Sequence, residues 1–466
     1  MNFRLLTSVV LAAALVAFGC SDDGGGGTGG TAGTGGSGGV VPKDCEDLPD
    51  TSSYSVPGAP PTSRDGCNDE NTLSATGTDD HVAILEAIVG ASANDVICFN
   101  PGEYDVGAIL GVSLVPLTLK GLGDSPDDVV FDFKERGTKG IFVQVNDVTV
   151  ENMWIKNTAE NAVEQAGTSG SVFRKLHVSW DAGSVTGNGA YAVYADDCSD
   201  TTVEYNQVSG ASDTGLYVDG CEIGRVNNNW VHANVAGVEV ENSLDVEAYD
   251  NLIFDNTGGL LALQEPISSD HLINTNILFR DNEVFCNNRE NFAQPGSVVG
   301  ELPQGTGTLI FGSQGVEIRN NIIDGNISVG VLIASNVLLC QLSGQRCEFD
   351  DLPGYNPYPE KIYVHDNIYI NNGTDPKSIL GDISMGIELL PLPDVIWDGF
   401  IREGVSDPEI CLGTETPLPT YLDVTQDQCE GMNETETLAC ILDNATEDPT
   451  GRDCVVTLPV QEPDPI

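Results

Sequence analysis

The sequence predicts an all-β solenoid, a parallel β-helix with an N-terminal helical cap and a Cys-rich C-terminal cap. One observation behind this is a frame, Asn-x-apolar-x-x-Asn, that recurs along the chain. It is met at Asn152-Met-Trp-Ile-Lys-Asn157, Asn229-Trp-Val-His-Ala-Asn234, Asn251-Leu-Ile-Phe-Asp-Asn256, Asn282-Glu-Val-Phe-Cys-Asn287, Asn321-Ile-Ile-Asp-Gly-Asn326 and Asn367-Ile-Tyr-Ile-Asn-Asn372. From Asn206 to Asn229 to Asn251 the steps are 23 and 22 residues, within the range of solenoid repeats. The other observation is a second short strand in each unit after a small residue, as in Gly215-Leu-Tyr-Val, Gly237-Val-Glu-Val, Gly259-Leu-Leu-Ala and Gly330-Val-Leu-Ile.

Short β-rich runs separated by Asn, Gly and Asp are strand and turn signals, and the repeats carry no helical apolar period. Stacked coils bring equivalent residues to roughly 4.8 Å in parallel, in-register ladders. A repeated Asn can then bond its side-chain amide to its copies above and below, and it tolerates the left-handed backbone of a bend. Each such bond is worth about 1 kcal/mol net, and a buried amide left unpaired costs more. The asparagines are therefore read as structural.

Residues 1–19 read as a lipoprotein signal peptide: Arg4, an apolar run Leu5 to Phe18, then Gly19-Cys20. The run is too short for a membrane span and is followed at once by Ser21-Asp22-Asp23. A small residue before the cysteine resembles a lipobox, which implies lipidation of Cys20. Ordinary signal cleavage is the competing reading. Residues 20–44 form a tether rich in Gly, Thr and Ser, with no means of building a core. The chain is thus expected in the bacterial cell envelope, held to the outer membrane by lipid.

Nineteen basic against 71 acidic residues give 19 − 71 = −52, which excludes nucleic acid and anionic lipid as general electrostatic partners. Anionic glycans would be repelled as well unless a cation mediated. Thirteen cysteines less Cys20 leave twelve, an even number that favours disulfides in an exported chain. Cys198 and Cys221 are one coil apart and are expected to bridge. Cys340 with Cys347 suits a loop clip, and Cys411, Cys429, Cys440 and Cys454 share one tail.

Residues 45–111 are read as an N-terminal region whose short helix, started by Thr78 or Asp79, lays Val82, Leu85, Ile88 and Val89 on the open end of the solenoid. The β-helix proper is expected over 112–376, and an acidic, Cys-rich cap over 377–466. Long inserts, Gln264 to Thr306 and Ser335 to Glu360, interrupt the coils.

Alternation along the Gly-led strands sends outward Tyr194 and Asp196, Tyr217 and Asp219, and Glu239 and Glu241. Leu261 and Leu263, Leu309 and Phe311, and Leu332 and Ala334 follow. The inserts are expected to cover the apolar half, and nothing in sequence covers the acidic half. Asp196, Asp219 and Glu241 would form a carboxylate ladder with repulsion of about 3 kcal/mol per pair at an effective dielectric near 20. A Ca²⁺ ion on these three oxygen-donor side chains would relieve it and could bridge to an acidic sugar. A solvated ladder screened by salt is the other reading. Tyr194 and Tyr217 are candidates to stack on sugar rings, with Glu239 and Trp180 as further substrate contacts, and His232 and Asp213 are the nearest candidates for a base or acid.

Four segments resemble a family of exported bacterial parallel β-helix repeat proteins: Gly187-Asn-Gly-Ala-Tyr-Ala-Val-Tyr194, Gly210-Ala-Ser-Asp-Thr-Gly-Leu-Tyr-Val218, Asn234-Val-Ala-Gly-Val-Glu-Val-Glu-Asn242 and Gly354-Tyr-Asn-Pro-Tyr-Pro-Glu-Lys-Ile-Tyr-Val-His-Asp-Asn367. Val395-Ile-Trp-Asp-Gly399 and Asp453-Cys454 are similar to its C-terminal region. The resemblance implies a right-handed helix, often lipid-anchored, without a settled activity. The wider fold resembles pectate lyases, alginate lyases and mannuronan epimerases, whose Arg-x-Pro and Asp-Pro-His-Asp motifs are missing here. The expected function is binding, and lyase- or epimerase-like processing, of a polysaccharide. A non-catalytic envelope or adhesion scaffold is the rival.

Overall fold

The computed structural model describes residues 41–136, 139–266, 272–338, 352, 354–414, 418–424, 440 and 445–459. Lys43–Ile466 forms one unit, which holds all of the coils. Cys20, the signal segment and the Cys340 with Cys347 clip lie outside the described residues.

Among the described residues the strands form two parallel sheets, of 20 and 11 strands. Each coil contributes to both. In one coil, Ser199–Glu204 and Gln207–Ser209 belong to the larger sheet and Thr214–Asp219 to the smaller. Strands Thr149–Lys156 and Val172–Ser179 run through the bend of the larger sheet, joining its two faces.

The bend is held by the amide ladder. Asn206 Nδ2 donates to Asn229 Oδ1 at 3.0 Å, and Asn229, Asn251, Asn282 and Asn321 each donate in the same way to the next copy, ending on Asn367. A second ladder runs Asn234, Asn256, Asn287, Asn326, Asn372 at 3.0–3.2 Å. Each Oδ1 also accepts the backbone N–H of the preceding copy, as Asn251 does from Asn229 at 3.0 Å. Asn152 and Asn157 share the sequence frame and stand outside both ladders. Asn152 donates to the carbonyls of Gly121 and Gly123, and Asn157 to Asp132 and Asp181. These two have left-handed backbone themselves, whereas in the ladders it is the preceding residue, such as Asn228, Asp250 or Asp281, that takes φ near 55°. The bend therefore strains the neighbour and leaves the ladder amide in a fixed pose.

The same ladder explains the small residue that leads each strand of the smaller sheet. A Cβ on Gly215 would lie 2.7 Å from Asn234 Nδ2 and 2.9 Å from the carbonyl of Gly237. Inside the coils, Val238 and Val240 stack on Leu216 and Val218 and under Leu260 and Ala262, fully or almost fully buried. Each such Val is worth about 1.5–3 kcal/mol of transfer free energy.

Helix His81–Gly90 closes the end of the core with Ile84 and Ile88. The expected face was partly wrong: Val82 and Val89 are 50% and 63% exposed. The helix is turned because Asp80 ties its start sideways, accepting from the backbone N–H groups of Thr76, Gly77 and Asp105. Parallel strands continue beyond the expected 112–376 on both sides, from Asp95–Phe99 to Val395–Trp397 and Tyr421–Asp423. The acidic tail thus contributes further coils. Its helix Ser378–Ile387 packs Leu380 and Ile383 on the smaller sheet.

Cys198 and Cys221 are bridged as expected, and Cys45–Cys286, Cys67–Cys98 and Cys411–Cys454 are bridged too. Cys440 is also disulfide-bonded. The Cys45–Cys286 bridge fastens a segment that runs along the larger sheet, where the Tyr54 hydroxyl donates to the Tyr205 carbonyl and Gln207 Oε1 accepts from the Ser55 N–H at 2.9 Å. No helix among the described residues is long and apolar enough to cross a membrane.

Asn251→Ala removes the acceptor of two Asn229 donors and strands the buried carbonyl of Val226. The expected loss is about 2–4 kcal/mol. Asn367→Ala, at the half-buried ladder end, removes the acceptor of two Asn321 donors and the donor to the Ile318 carbonyl but no bond to a further copy, so a somewhat smaller loss is expected. Equilibrium denaturation measures both, and full stability in Asn251→Ala would contradict a ladder held by paired amides.

Candidate active site

Register along the smaller sheet aligns Glu164, Tyr194, Tyr217, Glu239, Leu261, Leu309 and Leu332 in one outward row. Asp196, Asp219, Glu241, Leu263, Phe311 and Ala334 form the row two residues on. The change from acidic to apolar falls where alternation places it. Leu261, Leu263, Leu309 and Leu332 are covered by Val299 and Leu302 of the first insert and by Leu380 and Ile383 of the tail helix. Of the second insert, Tyr355 donates its hydroxyl to the Gln264 carbonyl at 3.1 Å.

The acidic half is not an open ladder. Asp219, Glu239 and Glu241 are only 2%, 3% and 4% exposed, and Tyr217 is 6% exposed. A diagonal contact repeats between coils: the Tyr194 hydroxyl donates to Asp219 Oδ2 at 3.2 Å, and the Tyr217 hydroxyl donates to Glu241 Oε2 at 2.7 Å. The next diagonal would run from Glu239 to Leu263 and cannot form. Glu239 instead accepts from Thr214 Oγ1 at 2.5 Å, and the same hydroxyl lies 3.1 Å from Asp213 Oδ1. Asp213 precedes the strand Thr214–Asp219, and Glu265 follows the strand Gly258–Leu263. Asp213, Asp219, Glu239, Glu241 and Glu265 act on one another electrostatically.

Burial and mutual repulsion are relieved by protonation. Burial, then the charge of Glu241 and Asp196, pushes Asp219 up to about 7. Burial raises Asp213 to about 6, with Glu241 adding to the rise. Burial followed by Glu241, Asp213 and Asp219 lifts Glu265 to about 8. Glu239 is held well above the carboxylate range, by burial first and then by Asp213 and Glu241. The phenols of Tyr191, Tyr194 and Tyr217 are driven upward by burial and by the same carboxylates, so they remain donors. Asp219 Oδ1 and Glu265 Oε1 are buried with no hydrogen-bond partner among the described residues.

The sequence-predicted residues separate into two groups. Asp213, Tyr194, Tyr217, Asp219, Glu239 and Glu241 meet. Asp196 sits at the edge, half-exposed and raised by burial, near Glu164 and Lys139, and Lys139 pairs with Glu164 at 2.5 Å. His232 does not join: it lies on strand Trp230–His232 of the larger sheet, stacked on Phe254 at 5.2 Å. Burial depresses it to about 3, so it is neutral at ordinary pH. Trp180 is a core residue, 6% exposed, donating its indole N–H to the Thr158 carbonyl at 2.7 Å. The ring of Tyr217 stacks on Tyr194 at 4.8 Å and meets Tyr191 at the same distance, which removes it as a free sugar platform. Asp196, Asp219 and Glu241 lie in one register row, and no group of three His, Cys, Asp or Glu among the described residues is drawn together as a metal-holding set. The Tyr194 and Tyr217 hydroxyls donate to Asp219 and Glu241 of this row.

Tyr191, Thr214, Glu164 and Glu265 escaped the sequence reading. Tyr191 and Thr214 pair directly and could have been found by extending the strand one residue before its Gly or Ala. Glu164 lies on strand Val163–Ala166, one coil before the first outward pair counted from the sequence. Glu265 stands in an insert, outside any repeat frame. Two depressions lie elsewhere, one of about 320 Å³ beside Trp230 and Asp250, the other of about 490 Å³ beside Ser184 and Arg289.

Residues 131–267 and 184–345 match the family described as right handed beta helix region. The fold is a right-handed parallel β-helix. The handedness implied by resemblance is thereby borne out. Among solved structures, this β-helix is similar to a mannuronan C-5 epimerase A-module of Azotobacter vinelandii, at 15% identity, covering 70% of this chain and 88% of that one, with a TM-score of 0.48. An alpha-1,3-glucanase catalytic domain solved with tetrasaccharides aligns at 11% identity over 68% of this chain and 60% of its own, with a TM-score of 0.38. A pectate lyase aligns at 13% identity over 62% and 74%, with a TM-score of 0.33. Comparison with curated protein sequences gives no match. No residue role follows from likenesses this distant.

The raised carboxyls set the sign of the pH dependence of stability. Asp213, Asp219 and Glu265 have folded values of about 6, 7 and 8 against ordinary values of 3.8, 3.8 and 4.5. The folded state holds these protons more tightly, so their contribution is full below the ordinary values and is lost as pH rises through the folded ones. Thermal melts should therefore show Tm falling from about pH 5 to about pH 8, with a smaller fall in Asp219→Asn. A Tm that rose across that window would overturn the shared-proton account.

Proposed function

We propose that this β-helix binds a polysaccharide on the outward face of its smaller sheet and acts on it by acid–base chemistry. The observation that carries this reading is the cluster of Asp213, Asp219, Glu239, Glu241 and Glu265 beside Tyr191, Tyr194 and Tyr217. Tyr191, Tyr194, Asp213 and Glu265 are half-exposed and form its rim, and the other members lie beneath. Near pH 6.5 an Asp213 at about 6 is mostly ionised while an Asp219 at about 7 is mostly protonated. Two carboxyls whose environments separate their pKa values supply a base and an acid in one site.

Lyase and epimerase chemistry, expected from the sequence, acts on uronates and requires a cation beside the sugar carboxylate. Among the described residues, the groups acting on Asp213, Asp219, Glu239 and Glu265 are acidic, phenolic or hydroxylic. Proton donation to a glycosidic oxygen with carboxylate activation of water is chemistry that these carboxyls support directly, beside the lyase and epimerase chemistry expected from the sequence. Attachment to the outer membrane through Cys20 is part of the proposal and rests on the sequence run Leu5 to Cys20.

Incubation of the protein with a panel of neutral, anionic and amino-bearing polysaccharides, followed by assays for reducing ends, unsaturated ends and epimerised sugars, tests the reading. Cleavage should follow a bell-shaped pH profile with limbs near 6 and 7, set by Asp213 and Asp219. Asp219→Asn should lower kcat by about 10²-fold or more and erase the upper limb. Binding without turnover in any assay would leave the rigid-scaffold reading, and neither binding nor turnover would sink the proposal.

A further inference from the structure

The cluster is a concentration of buried acid in a chain of net charge −52, and its composition selects for charge. The groups that face one another can be named strand by strand. Tyr191, Tyr194 and Asp196 come from the first coil, with Asp213, Thr214, Tyr217 and Asp219 from the second. Glu239 and Glu241 come from the third, and Glu265 follows the fourth. Glu164, with its partner Lys139, stands upstream. Asp219, 2% exposed, accepts from Tyr194 at Oδ2, and its Oδ1 and the buried Oε1 of Glu265 have no hydrogen-bond partner among the described residues. When these carboxyls are ionised, such free oxygens in a desolvated site are an unfilled requirement for a hydrogen-bond donor. An anionic sugar carries more acceptors and would meet like charge. A neutral hydroxyl fills one acceptor and leaves the repulsion untouched. An ammonium supplies three donors and a positive charge together.

We propose that the polysaccharide taken by this site bears free amino groups, as a glucosamine polymer does, and that its ammonium is met by Asp219 and Glu265. This rests on the glycan reading given above. Entry of a cation favours the ionised carboxyls, so binding near neutral pH expels protons that the empty cluster holds.

Titration calorimetry on the full protein distinguishes the cases, using a glucosamine hexamer, its N-acetylated counterpart, an oligouronate and calcium chloride alone. Repeating each titration in two buffers of different ionisation enthalpy counts the protons. The hexamer should bind with net proton release, and the acetylated and uronate oligomers should bind at least about tenfold more weakly. Asp219→Asn should weaken hexamer binding by about tenfold or more and reduce the protons released. Glu265→Gln, on the rim, should do the same and serves if the Asp219 variant fails to fold. Equal binding of the acetylated hexamer, or binding without proton release, would overturn the amine proposal and leave the glycan reading standing. Preference for the oligouronate, or calcium binding lost in both variants, would overturn it as well. Absence of binding by every oligomer would remove both readings.

Discussion

Every residue in a parallel, in-register coil lies about 4.8 Å from its own equivalent in the next coil, and that single constraint organises this molecule. A side chain that bonds well to itself gains from the repetition. Asn does so through an amide that donates and accepts along one line, and Val and Leu do so by packing. A side chain that repels itself accumulates the penalty instead. The inner rows, the bends and the apolar outer rows are cases of the first kind. The carboxylates of the smaller sheet are the second kind, and their pairing with tyrosines one coil back is how the stack accommodates them.

The accommodation has a clear limit. Tyr194 to Asp219 and Tyr217 to Glu241 are one contact used twice, and it needs a phenol on one coil and a carboxyl two positions along on the next. At Glu239 the phenol is replaced by a second carboxyl, and the site becomes crowded with protons rather than with counter-charges. The half-exposed rim lies beside this break, and chemistry is available there because the repeat has failed.

Most of the frame was legible from the chain alone because period-two alternation and a fixed coil length leave little freedom. The outward rows Tyr194, Tyr217, Glu239 and Asp196, Asp219, Glu241 follow from counting after a small residue, and the Cys198–Cys221 bridge from one coil of spacing. What could not be counted was burial. The low exposure of Glu239 depends on what surrounds the sheet, and no local pattern encodes it. His232 misled for a related reason: its distance in sequence from Asp213 is short, yet the coil turns it onto the other sheet. Asn152 shows the converse, since a matching motif with left-handed backbone performs a different task.

The bridge between Cys45 and Cys286 joins residues 241 positions apart, so it welds the beginning of the folded body to the middle of the stack. Mechanical load drawn through the chain ahead of Cys45 therefore enters at the coil of Cys286. Coils between those two points are shielded by a covalent shortcut and cannot be peeled away one by one from their free end. For a pull between Cys45 and any point beyond Cys286, the covalent path passes through the bridge and leaves out the coils between.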